Sequence, residues 1–465
     1  MNAPAPRTTR RSPPRGTPGR AQIRAAAALA ALLVCLAAPA GARAFSDGFG
    51  LKVLAAQQLD SRLLDITLST HALAKPTHLR VLLPAGYSAS ESSRYPVLYL
   101  LHGALDDYKS WTAKGDAERI TAGLPLIVVM PDAGGGGWYT DWVRGGAGGV
   151  PEWESYHVHE LIPWIDANFR TRATRDGRAV AGLSMGGFGA MTYAARHPDL
   201  FSYAASFSGA VDSNDPELWP IVQFEAVHDG GTPDAIFGPR ATDEVIWRGH
   251  NPWDLAANLR GMGLAVYTGN GQKGPYDTSL FDPIEAGVHT MSVSFHNRLD
   301  ALGIPHVWDD YGPGQHAWPY WQRDLRQTLP AVMSTFAHPA LAPRTFTYTA
   351  IEPGYAVYGW TVKLSRPVLE FSTLEGRPGG FALGGSGSAT VTTPARYRPR
   401  AVYRVVAVAQ NGSRVSRRVR AGRGGRLVVP VTLGPVNANQ QYTPQSLVTG
   451  TTVRTTQVSI SPARR

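Results

Sequence analysis

Cysteine is almost missing from this 465-residue sequence, and the single Cys35 lies inside an apolar run near the amino terminus. Disulfide bracing is therefore excluded, and so is a cysteine-built metal cage. The apolar run itself, Ala25–Ala38, is shorter than the roughly 20 residues a membrane-spanning helix needs. Zinc-hydrolase patterning is missing as well, because His159-Glu160 has no second histidine four residues on. His157 and His159 are accordingly read as surface or internally satisfied histidines. No metal or other cofactor is expected. Nor is there a recognised nucleic-acid motif, although the net charge is +10.

That charge is unevenly spread. Residues 1–44 carry seven Arg and no acid, residues 340–465 carry 17 Lys plus Arg against three Glu, and the stretch between them is net −11. The first segment has the order of an export signal: a basic start (Arg7, Arg10, Arg11, Arg15, Arg20, Arg24), the apolar run, then Ala42-Arg43-Ala44 as a cleavage site. Removal of residues 1–44 would leave a secreted or cell-wall-associated chain with no transmembrane segment. The remainder reads as an acidic domain, 45–338, a Pro-rich linker, 339–343, and a basic domain, 344–465. The basic part admits attraction to an anionic cell-wall polymer, or to the acidic domain.

Along the acidic domain, continuous apolar runs alternate with helical spacing. After strand-like sequence from Leu51 to Pro84, Tyr95–Leu101, Leu124–Pro131 and Arg178–Gly182 read as buried sheet strands, the first two covered on both faces, and Ala204–Gly209, Leu264–Gly269 and His306–Tyr311 as further sheet strands. Glu154–Phe169, Met185–Arg196, Ser292–Leu302 and Trp318–Phe336 read as helices. This order predicts an α/β fold with a mostly parallel central sheet. Some fifty residues rich in Trp, Asp and Pro, between the strands at Ala204 and Leu264, are expected to cap a site. Beyond Arg344, alternating segments separated by Gly, Pro and Asn turns predict a small antiparallel β-sandwich.

One pentapeptide organises the chemistry. Gly182-Leu183-Ser184-Met185-Gly186 follows a strand and opens a helix, the context of a nucleophile elbow, where Ser stands on a tight turn flanked by glycines. Serine attacks only when a base takes its proton, and His316, on a turn after the last strand, holds the expected place in chain order. Asp277, Asp282 and Glu285 all precede it and leave the acid open. The N–H groups of Ala104 and Met185 are placed to form an oxyanion hole.

Over residues 50 to 335 the chain resembles the secreted mycolyltransferase (antigen 85-type) and esterase D branch of the α/β-hydrolases. The matching blocks are Leu100-Leu101-His102-Gly103 with Asp106-Asp107-Tyr108 and Trp111; Val129-Met130-Pro131; Tyr139-Thr140-Asp141-Trp142; Trp153-Glu154; the elbow; Gly269-Asn270-Gly271; and His316-Ala317-Trp318-Pro319-Tyr320-Trp321. In mycolyltransferases the acid is a Glu ten residues before a Phe, the relation of Glu285 to Phe295. The resemblance therefore implies a Ser184, Glu285, His316 triad, with substrate contacts at His102, Gly103, Asp141, Trp142 and Trp318. Where those enzymes carry an Asp before the oxyanion Gly and an Arg two residues after it, this chain has His102 and Leu105. It implies an exported serine esterase acting on small-molecule or lipid esters. The rival expectations are an acyltransferase with a sugar or glycerol acceptor, and a cell-surface binding protein without turnover.

Overall fold

The computed structural model describes residues 45–87, 92–145 and 149–463; the export-signal reading falls outside them. A nine-stranded sheet runs β1 (Lys52–Gln58), β2 (Leu63–Ser69), β3 (Thr77–Leu82), β5 (Ile127–Pro131), β4 (Val97–Leu101), β6 (Arg178–Leu183), β7 (Tyr203–Phe207), β8 (Gly263–Thr268), β9 (Val307–Asp310) across its width. The first three strands are antiparallel and β3 meets β5 antiparallel, while β5 through β9 are parallel. In β4 every residue is buried because helices cover both faces: Leu98 and Leu100 enter one apolar core, Val97, Tyr99 and Leu101 the other. Each such side chain contributes roughly 1.5–3 kcal/mol to folding.

The principal helices are α1 (Ile162–Asn168), α2 (Met185–Arg196), α3 (Leu218–His228), α4 (Arg240–His250), α5 (Pro283–Ala301) and α6 (Trp318–Ala337). Two details differ from the sequence reading. Ser155–Leu161, expected as ordinary helix, is wound as a π-helix into α1. Pro163 supplies the reason, since it lacks the N–H that would bond to His159 O and its ring crowds that carbonyl. Helix α5 begins at Pro283, nine residues before the expected start, because Asp282 caps it: its carboxylate accepts from Ile284 N and Glu285 N. The segment between β7 and β8, expected as a cap, holds α3 and α4.

A sandwich follows. One sheet is ordered β10 (Phe346–Ala350), β13 (Ser372–Arg377), β14 (Gly380–Gly385), β19 (Arg454–Pro462), β16 (Val402–Ala409), β17 (Arg414–Arg420). The other is β11 (Gly354–Val357), β12 (Trp360–Ser365), β15 (Gly387–Thr392), β18 (Val428–Gly434). All pairs are antiparallel. Trp360, Phe381, Val391 and Val458 are among the side chains that fill the space between the sheets.

The sandwich docks on the far end of α2. Asn258, buried, bonds both ways to the Thr349 backbone (2.9 and 2.8 Å), Tyr348 Oη donates to Arg196 O (2.7 Å), and Tyr358 N donates to Asp199 Oδ2 (3.0 Å). Arg196 bridges Glu154 (2.8 Å) and Glu352 (2.7 Å). Despite the cost of burial, Arg196, His197 and His250 hold the Glu154 carboxyl far below the usual carboxylate range.

Candidate active site

Strand β6 delivers Ser184 with φ 53° and ψ −121°, a conformation a non-glycine residue adopts only under constraint. The constraint is steric. A Cβ on Gly182 would stand 2.2 Å from Gly186 O, and one on Gly186 would stand 2.5 Å from His102 O, so both positions require glycine for space. Ser184 N donates to Phe207 O (2.9 Å), which ties the elbow to the end of β7. Leu105 (φ 60°) and Ser208 (φ 47°) carry the same backbone strain at the ends of the neighbouring strands.

The three candidate acids separate cleanly. Asp277 accepts from Gly274 N (2.8 Å) and Tyr320 Oη (2.6 Å), away from the imidazole ring. Asp282 caps α5 with one oxygen and accepts from His316 N (2.9 Å) with the other. Glu285 is fully buried, and its Oε2 lies 2.7 Å from His316 Nδ1. Its second oxygen accepts from Gly269 N (2.7 Å), Ser208 Oγ (2.9 Å) and Thr268 Oγ1 (3.3 Å). Three donors on one oxygen compensate the desolvation of a buried carboxylate. The His316 ring packs edge-on against Trp321 at 4.9 Å, whose Nε1 donates to the same Ser208 Oγ (3.2 Å). Ser208, Thr268 and Trp321 were not anticipated as site residues.

Around the serine, Gly103 closes from above: a Cβ there would meet Leu183 Cδ1 at 2.5 Å and Ser184 Cβ at 3.3 Å. Among the described residues no acceptor engages the N–H of Ala104 or of Met185. The other positions expected to touch substrate are largely committed within the fold. His102 is 1% exposed; Ala133 N donates to its Nε2 (3.0 Å) and its Nδ1 lies 2.8 Å from Gly103 O. Asp141 accepts from Ser155 N and Oγ (2.9 and 2.6 Å) and lines a polar cavity of about 500 Å³ beneath the sandwich, at the opposite end of α2 from Ser184. Trp142 is buried and donates to Gly137 O (3.2 Å). Trp318, half-buried, stacks edge-on between Trp111 and Trp321 beside the imidazole.

Of the histidines read as satisfied, His157 sits between Tyr193 Oη and Asp132 O, both at 2.9 Å, and burial pushes its pKa down to about 4. His159 is exposed on the wall of the polar cavity.

The family model described as "Putative esterase" matches residues 70–332. Esterase Rv1288 of Mycobacterium tuberculosis (strain ATCC 25618 / H37Rv) is 38% identical over 280 residues, which is 58% of this chain and 59% of that protein. The chain thus spans about three fifths of that relative's length. The diacylglycerol acyltransferase/mycolyltransferase Ag85B of Mycolicibacterium smegmatis is 32% identical over 251 residues, 50% of this chain and 75% of that protein. A solved ferulic acid esterase is similar with TM-score 0.46 at 26% identity, over 59% of this chain and 98% of that one. The sandwich lies outside the family match.

Proposed function

From the premise that this chain belongs to the Esterase family of α/β-hydrolases, we propose that it is a serine esterase whose triad is Ser184, His316 and Glu285. Ser184 Oγ attacks the ester carbonyl carbon while His316 Nε2 takes its proton, and the oxyanion is met by the N–H groups of Ala104 and Met185. Collapse breaks the bond to the alcohol oxygen, which leaves with the proton from His316. Water repeats the sequence on the acyl-enzyme and releases the acid. Glu285 accepts a hydrogen bond from Nδ1–H throughout, which fixes the tautomer and stabilises the imidazolium.

The observation that carries this reading is the 2.7 Å contact between His316 and a fully buried Glu285, anchored beside the strained serine elbow through Ser208. Likeness to mycolyltransferases favours a second reading, transfer of the acyl group to a sugar or glycerol hydroxyl. Leu105 weighs toward water, because it presents an apolar side chain, 57% exposed, where those enzymes carry arginine. Incubating the protein with p-nitrophenyl esters of graded length, with and without trehalose or glycerol, and weighing the products separates hydrolysis from transfer. Absence of turnover on every ester would overturn both.

The reading includes export through cleavage after Ala44, a catalytic domain over 45–338 and a basic module over 344–465. No helix of the described residues is long and apolar enough to cross a membrane. Retention on an anionic cell-wall polymer is supported by β17, whose Arg414, Arg418 and Arg420 are all exposed on its outward face.

A further inference from the structure

The sandwich contains a cavity of about 580 Å³ that the esterase reading does not use. It opens between the edge strands β17 and β18, where the two sheets part. Its floor is set by sequence. Ala407 and Ala409 point inward from β16, and two consecutive small side chains leave volume that the surrounding valines do not fill. Val415, Val429 and Leu433 complete an apolar lining of the size and polarity typical of small-molecule sites.

Two charges break this apolar surface. Arg417 stands between Val415 and Val419 on the inward face of β17, opposite Val405 in register, and Arg454 lies across Gly434 at the other end of the cavity. Among the described residues neither guanidinium has a carboxylate within ion-pair distance. An inward arginine on an edge strand also discourages edge-to-edge pairing of sheets. That role accounts for Arg417 alone; it leaves the alanine floor and Arg454 unexplained.

The lining chemistry narrows the occupant. Among the described residues no aromatic side chain lines the cavity, so the stacking that recognises sugar rings is missing there. Pro430 interrupts the donors along the β18 edge, which disfavours an added peptide strand. We propose that this cleft binds a single-chain anionic amphiphile of the fatty-acid class, its alkyl chain lying over Ala407 and Ala409 and its carboxylate paired with an arginine at the cavity's end. The proposal is independent of the esterase reading.

The test uses the full chain, with laurate below its micellar concentration as the probe and calorimetry as the readout. Laurate is expected to bind one to one, while butyrate and 1-dodecanol bind at least tenfold more weakly. Ala407→Trp, which fills the floor, and the double substitution Arg417→Met with Arg454→Met should each weaken laurate binding at least tenfold. Both variants should keep their circular dichroism spectrum and their turnover of p-nitrophenyl acetate. Laurate affinity unchanged by Ala407→Trp would overturn the proposal, as would equal binding of dodecanol. So would binding to phosphatidylglycerol vesicles without binding of monomeric laurate, which would mark a basic surface adsorbing to membrane.

Discussion

Replacing Glu285 with glutamine removes one charge and almost no volume, and the surroundings dictate how the amide must lie. The Oε1 position faces three donors, Gly269 N, Ser208 Oγ and Thr268 Oγ1, so the amide oxygen belongs there. The NH2 group is then forced to face His316 Nδ1, 2.7 Å away in the parent. A donor at that place requires Nδ1 to carry the lone pair, which moves the ring proton to Nε2. An Nε2–H cannot accept the proton of Ser184. A base locked in the wrong tautomer loses on the order of 10⁴-fold in kcat, about 5.5 kcal/mol of transition-state stabilisation. The assay is turnover of p-nitrophenyl acetate, with nitrogen-15 NMR of His316 to read the tautomer. Asp277→Asn and Asp282→Asn should cost under about tenfold, since neither carboxylate touches the ring. A loss below tenfold in Glu285→Gln, or an imidazole still protonated at Nδ1, would refute the reasoning.

Ser184→Ala should retain the fold and lose turnover by about a million-fold; more than a hundredth of parental activity would point to another nucleophile. Glu225, buried in α3 with Trp138 Nε1 on its carboxyl at 2.6 Å, has its pKa pushed up to about 8, chiefly by burial. Below the ordinary value of 4.5 both folded and unfolded chains hold the proton. As pH rises above it the unfolded chain releases the proton first, so stability falls until about pH 8, by up to roughly 5 kcal/mol at 1.36 kcal/mol per unit. Glu225→Gln should therefore flatten the decline of urea-unfolding stability between pH 4.5 and 8, and an unchanged pH dependence would contradict the assignment. Substituting Arg414, Arg418 and Arg420 with Gln should reduce sedimentation with purified cell walls at low salt and leave little difference at high salt, because exposed charges are screened over about 10 Å at 0.1 M. Equal sedimentation of both forms at low salt would remove the anchoring idea.

The parallel strands and the elbow were legible because they rest on local signals: apolar runs of strand length, and glycines two residues either side of a serine. The choice among Asp277, Asp282 and Glu285 was not legible from order, since all three precede His316 within one loop and helix start. Only the fold aims one of them at the ring. The early start of α5 did carry a signal, Asp282 followed by Pro283 with Glu285 at the third helical position, a cap pattern masked by the polar composition around it. Ser208 had none, because its value lies in touching Glu285 and Trp321, which are distant in sequence. His102 and Asp141, expected as substrate contacts from matched blocks, are hydrogen-bonded within the scaffold, an arrangement that only the folded chain displays.

Helix α2 has Ser184 immediately before its first residue and Arg196 as its last, clamped between Glu154 and Glu352. A helix of 12 residues is a rod of about 18 Å whose ends are fixed in both distance and angle. Adding one residue would advance one end by about 1.5 Å and turn it by about 100° relative to the other. Either the serine or the clamp would then be misaligned, so this helix, buried from Met185 to Ala195, admits no change of length. Insertions and deletions in the helix are thus closed to both modules at once.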